Sequence, residues 1–134
     1  MILSLDSCFE QSFPVTLGQG RIQIERAWNG ERVFLYISWN NEDDEQIAST
    51  KIQFYPYQKL VWIGSIHVHP HHRENGLGVQ IVDAIEAQSK REKVETIRLF
   101  TRRSAYGFWE KLGYHPEEDS RYLRKNLRTS TDIL

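Results

Sequence analysis

Along this chain the spacing of apolar positions changes from a period of two to one of 3.6 and back again. Residues 21–27 and 32–38 alternate apolar or β-branched side chains with polar ones, and between them stands Trp28-Asn29-Gly30-Glu31. Asn-Gly between alternating runs predicts a β-hairpin, because the central residues of such a turn need φ above zero. An acidic turn at residues 40–45 leads into a third strand over 46–55. Pro56 and residues 57–59 then turn the chain into a fourth, central strand over about 60–69. Four strands in this order predict an antiparallel meander.

The period then lengthens. Leu77, Ile81 and Ile85 recur at i, i+4 and i+8, flanked by Gly78, Val82 and Ala84, whereas Gln80, Asp83, Glu86 and Lys90 face elsewhere. This predicts a helix that packs one side on the sheet. Residues 95–101 read as a fifth strand, which after a helix should run parallel to the central strand through a right-handed crossover. A second helix follows, with Ser104 as N-cap and Gly113 as the C′ residue. Residues 121–127 make a last strand and residues 129–132 a fraying tail. Residues 1–20 hold no sustained period and read as a short strand or irregular lead-in.

The junction at residues 68–78 carries the chemistry. A β-branched run stops at Pro70, and after a short basic turn the helical pattern begins at Gly76. Glycine in a first turn costs roughly 1 kcal/mol relative to alanine, and Gly76 and Gly78 both stand there with no turn visible in the sequence that requires either. Close approach of a ligand to the backbone explains both. The free N–H groups and positive dipole end of a helix start favour a phosphate, and Arg73 adds charge. A tight turn with close helix–sheet packing is the competing account. Neither Gly-x-x-x-x-Gly-Lys-Ser/Thr nor Gly-x-Gly-x-x-Gly is present.

Composition narrows the classes. At 134 residues the chain is expected to be one domain, residues 1–134, with 40% apolar and 26% charged residues, as in ordinary soluble proteins. No 18-residue apolar run and no basic, apolar leader are present, so neither a membrane span nor a signal peptide is expected, and the expected location is cytoplasmic. Cys8 is the single cysteine and reads as a small apolar side chain. A net charge of −1 argues against nucleic acid as a partner, although residues 73–134 carry 12 Lys/Arg against 10 Asp/Glu and residues 1–72 carry 5 against 8. His67, His69, His71, His72 and His115 raise the question of a metal, but no cysteine or carboxylate lies at ligand spacing. Exposed loop histidines and no metal are expected. Tyr55, Tyr57, Trp62, Phe108 and Trp109 read as core residues, some of them candidates to line a pocket.

Two motifs carry a family resemblance. Val68-x-Pro70-x-x-Arg73-x-x-Gly76-x-Gly78 resembles the acyl-coenzyme A motif of the GNAT superfamily of N-acetyltransferases, where Arg/Gln-x-x-Gly-x-Gly/Ala cradles the pyrophosphate. Ala105-Tyr-Gly-Phe-Trp-Glu-Lys-Leu-Gly-Tyr114 resembles the family's helix that usually reads Ala-x-x-Phe-Tyr-Glu-Lys-Leu-Gly-Phe. The resemblance implies an α/β (α+β) fold: a mixed, mostly antiparallel central sheet flanked by helices, here a compact version lacking the usual N-terminal helices. It also implies that the central strand and the strand after the helix splay apart to admit the pantetheine arm, with Ile66, His67 and Val68 offering backbone groups. Arg73, Glu74, Asn75, Gly76, Leu77, Gly78 and Val79 would surround the pyrophosphate. The implied activity is transfer of acetyl from acetyl-coenzyme A, as co-substrate, to an unidentified amine by direct attack.

Two departures from the family pattern bear on catalysis. Trp109 stands where many relatives carry a tyrosine acid, and an indole N–H is a poor proton donor. Residues 60–68 hold no carboxylate base. Tyr106 is the candidate acid for the leaving thiolate, with water as its rival. A coenzyme A-binding or protein-interaction module without turnover is the alternative reading. Oligomeric state is open, a homodimer included.

Overall fold

The computed structural model describes residues 21–118 and 121–127, with Arg21, Ile22, His72, Glu74 and Asn75 described by backbone alone. The lead-in with Cys8, and the tail, lie outside the described residues. So does the part of the expected missing helices that would fall in residues 1–20. The elements in chain order are β1 (Arg21–Trp28), β2 (Val33–Asn40), β3 (Gln46–Tyr55), β4 (Leu60–Val68), α1 (Leu77–Arg91), β5 (Thr96–Phe100), α2 (Tyr106–Lys111), β6 (His115–Pro116) and β7 (Tyr122–Asn126). They form a seven-stranded sheet in the order β1-β2-β3-β4-β5-β7-β6. Every neighbouring pair is antiparallel except β4 with β5.

The meander follows from its turns. Asn29 Oδ1 accepts from the N–H of Glu31 (3.0 Å) and of Arg32 (2.9 Å), while Gly30 takes φ of +89°. Asn41 Oδ1 does the same work in the acidic turn, accepting from Asp43 N (3.0 Å) and Glu45 N (2.9 Å). In both turns an asparagine side chain stands in for a backbone acceptor and lets the chain reverse within a few residues.

Alternation then sends one set of side chains to a single face. Leu35, Ile52, Ile63, Leu99 and Leu123 lie in register across five strands and are at most 2% exposed. Leu77, Ile81, Val82 and Ile85 of α1 close over this cluster, as their 3.6-residue spacing predicts. Their chain neighbours Tyr36, Gln53, Trp62, Arg98 and Tyr122 occupy the other face.

Two sequence expectations are corrected, and one strand is added. Ser104 does not cap the second helix: it lies inside a 3-10 turn, Arg103–Ala105, in which Ala105 N bonds Arg102 O (3.0 Å), so the chain enters α2 through main-chain bonds. The first helix starts at Leu77, with Gly76 as its cap. The two-residue β6 has no periodic signal in the sequence, and Pro116 is tolerated there because β6 is the outermost strand. Gly113, with φ of +93°, takes the expected position after α2.

Candidate functional site

The site begins with an irregularity in β4. Lys51 pairs with Ser65 and Ile52 with Ile63, so Gly64 is an extra residue, a β-bulge without a partner. A Cβ on Gly64 would stand 3.3 Å from Lys51 O, closer than a side chain readily tolerates, which is why glycine occupies the bulge. Past this point the two parallel strands part. β4 pairs with β5 only from Leu60↔Thr96 to Ile63↔Leu99, yet it continues to Val68 on β3 alone. The stretch from Gly64 to Val68 therefore turns one backbone edge towards a gap, the kind of edge to which an extended ligand adds as a strand. Ile66 and Val68 are half-buried against the core, His67 is exposed on the opposite face, and Ser65 O accepts from Thr50 Oγ1 (2.7 Å).

The strand leads into a 3-10 turn, Pro70–Asn75, capped by His69, whose Nδ1 accepts from His71 N at 3.3 Å. Gly76 links this turn to α1 in the left-handed region, at φ +72°. A turn does therefore require this glycine, as the competing account from the sequence holds, because any side chain in that conformation is strained. α1 has no side-chain cap and no acidic residue in its first turn. Among the described residues no side chain caps its first N–H groups, and such a helix end suits an anion. Leu77 is buried and offers only its main chain, whereas Val79 is 37% exposed. Arg73 Nε donates to Val68 O (2.9 Å), tying the turn to the end of β4 and holding the guanidinium beside the helix start.

Gly78 lies against the second helix. A Cβ built on it would meet the Phe108 ring at 3.4 Å, so α1 and α2 approach each other closely over the helix-covered side of the gap. α2 has only six residues and is held from outside. The Tyr114 hydroxyl donates to Glu86 Oε2 (2.8 Å), and Lys125 Nζ donates to Glu86 Oε1 (3.0 Å) and Leu112 O (2.8 Å). Burial, reinforced by Glu86, pushes the Tyr114 phenol far above its ordinary value. Trp109 is 7% exposed and stacks edge-on with Tyr114 (5.2 Å) and Phe108 (5.1 Å). It is a packing residue. Tyr106, the first residue of α2, is half-buried against the core cluster.

On the open face Arg98 Nε and Nη2 donate to Glu117 at 2.9 and 2.7 Å, holding that carboxyl below the usual range and the guanidinium above its own. His69 stacks on His71 with ring centroids 5.0 Å apart. Among the described residues no three or more His, Cys, Asp or Glu side chains gather as metal ligands, and no helix is long and apolar enough to cross a membrane.

A mixed seven-stranded sheet, whose parallel central strands part beside the uncapped start of a long helix, is the GNAT N-acetyltransferase fold. Comparison with known proteins agrees. The sequence model of the Acetyltransferase (GNAT) family matches residues 2–114, and the chain belongs to that family. Among solved structures it resembles Tetrahymena GCN5 (TM-score 0.63, 10% identity, covering 74% of this chain and 71% of that one). It also resembles the Escherichia coli ribosomal-protein-S18-alanine N-acetyltransferase (TM-score 0.61, 20% identity, 79% and 76%). A third likeness is to the Thermoplasma acidophilum PaiA N-acetyltransferase in complex with coenzyme A (TM-score 0.60, 15% identity, 69% and 60%). At these identities the likeness is one of fold. No curated protein matches the chain.

Both motifs singled out in the sequence fall beside the gap. Gly64 was missed, and a lone glycine inside a β-branched run was the available signal.

Proposed function

We propose that the chain is an acetyl-coenzyme A-dependent N-acetyltransferase. The observation that carries this reading is the parting of β4 from β5 after Ile63, which leaves β4 an edge paired with no described strand as far as Val68, whose carbonyl accepts from Arg73 Nε before the start of α1. The residues present fit the coenzyme. N–H groups of Leu77, Gly78 and Val79, with Arg73, would hold the pyrophosphate, and the edge from Ile66 to Val68 would hold the pantetheine arm. Bound in this way, acetyl-coenzyme A would supply an activated thioester to the gap beyond Ile63.

In the reaction the amine nitrogen forms a bond to the acetyl carbon, the carbon–sulfur bond breaks, the nitrogen loses a proton to solvent and the thiolate gains one. Positioning supplies much of the acceleration in such a reaction, worth about 7–11 kcal/mol at best, so a carboxylate base on β4 is not required. Tyr106 is the candidate donor to sulfur from this chain, with water as the competing donor. General acid help is worth about 10² to 10⁴ in rate. Release of free coenzyme A across a panel of amines tests the reading. Turnover with any one of them supports an enzyme, and coenzyme binding without turnover supports a binding module instead.

A further inference from the structure

α1 and α2 meet at Gly78 and Phe108 on one face of the sheet beside the gap between β4 and β5, and among the described residues no helix covers the other face. An acceptor that reaches the apex of the gap therefore comes across the open face. The apex is bounded by Ile63 and Leu99, the last paired residues, and each has an aromatic neighbour in the chain that faces the open side: Trp62 on β4 and Phe100 on β5. Tyr122, paired with Phe100 on β7, completes a patch, with ring centroids 5.1 Å from Phe100 and 5.8 Å from Trp62.

These rings are poorly explained as core. Phe100, the last residue of β5, is 51% exposed and Tyr122, the first of β7, is 42% exposed, although each adjoins one of the best-buried residues of the protein, Leu99 and Leu123. The charge around them selects further. Arg98 lies over Trp62 at 5.1 Å, and Glu117, the carboxylate beside it, already receives two hydrogen bonds from Arg98. Arg124 pairs with Arg98 across the strands and faces the same way. A multiply charged polyamine would meet two guanidiniums and an occupied carboxylate there. A flat, apolar group would meet ring faces and edges.

We propose that the acceptor is a small arylalkylamine whose ring packs on Phe100 and Tyr122 while its nitrogen reaches the thioester in the gap beyond Ile63, an inference that rests on the acetyl-transfer reading. Aromatic pairs attract beyond what their buried area supplies, enough for a several-fold selectivity.

The test is steady-state kinetics of the full chain with acetyl-coenzyme A and four acceptors: 2-phenylethylamine, tryptamine, spermidine and a peptide with a free N-terminus. The two aryl amines should exceed the others in kcat/KM by about tenfold, and Phe100→Ala should raise KM for 2-phenylethylamine about fivefold or more. Tyr122→Ala should act likewise and Tyr122→Phe, which keeps the ring, should not, while coenzyme affinity measured by calorimetry stays unchanged in all three. Preference for spermidine or the peptide, or an unchanged KM in both alanine variants, overturns the acceptor assignment and leaves acetyl transfer standing. If acetyl-coenzyme A binds without turnover, calorimetry of 2-phenylethylamine on the loaded protein decides: binding lost in Phe100→Ala supports the patch, and no binding overturns it. If coenzyme does not bind the wild-type chain, the acetyl-transfer reading fails and this inference with it.

Discussion

On the helix-covered face Val61, Ile63, Ile97 and Leu99 are at most 2% exposed, whereas their chain neighbours Trp62, Arg98 and Phe100 on the other face are half-buried or exposed. The two sets come from the same strands and differ only by the alternation of the pleat. One face is sealed by α1 and carries the burial that holds the fold. The other gathers the rings of Trp62, Phe100 and Tyr122, the guanidiniums of Arg98 and Arg124 and the Glu117 carboxylate in partly exposed contacts. Burial is therefore unevenly divided between neighbours in the chain, and Leu99 with Phe100 is the sharpest pair.

Leu99→Ala should lower unfolding free energy by about 2–5 kcal/mol, through lost burial and a cavity under α1. Phe100→Ala, one residue on, should cost about 1 kcal/mol or less. Denaturant titration of both variants measures the contrast, and equal costs would abolish the division between faces.

Tyr114→Phe comes next, because it leaves Glu86 buried with Lys125 alone. A loss of about 1–3 kcal/mol is expected at neutral pH. The pH dependence has a definite sign. Burial and Glu86 raise the folded phenol's pKa, so Tyr114's contribution is complete below the unfolded value of about 10 and is lost as pH rises beyond it. The stability gap between wild type and Tyr114→Phe should narrow above about pH 10. A gap that widens there would contradict the assignment.

Much of this architecture is legible in the chain because it rests on local periodicity. Asn29-Gly30 announces the hairpin, the spacing of Leu77, Ile81 and Ile85 sets the face of α1, and a helix between strands implies the parallel crossover. What was not legible depends on partners distant in sequence. The Gly64 bulge exists only in register against Lys51. Glu86 meets Tyr114 and Lys125 from 28 and 39 residues away, and no spacing rule links them. At Gly76 the sequence leaves a turn and a ligand as competing accounts, since its φ of +72° follows from a 3-10 turn with no signature beyond Pro70. Trp109 departs from the family's tyrosine, and the structure shows it stacked in the core.

Gly78→Glu probes the helix start. A carboxylate in the first turn suits the helix dipole, so the fold should persist while phosphate binding weakens. Acetyl-coenzyme A affinity should fall about tenfold or more, or about 1.4 kcal/mol. Isothermal titration on the folded variant measures it, and an unchanged affinity would remove the pyrophosphate from this turn.

The smallest effect belongs to the open face. Arg98 and Glu117 are 37% and 19% exposed, so solvent screens their pair, and Glu117→Gln should cost about 0–1 kcal/mol at neutral pH. Hydrogen bonds from Arg98 lower the folded carboxyl's pKa, so this contribution is present above the ordinary carboxylate value and lost as pH falls through the folded one. A variant whose stability deficit grows on acidification would contradict that.

The account rests on the edge of β4 beyond Ile63 and the uncapped start of α1 holding one ligand together. Amide hydrogen exchange, resolved by residue with and without acetyl-coenzyme A, examines both at once. Protection should rise at residues 65–68 and at 76–79, and leave the β1–β2 hairpin unchanged. Protection confined to the hairpin, or none at either stretch while the coenzyme is bound, would contradict it.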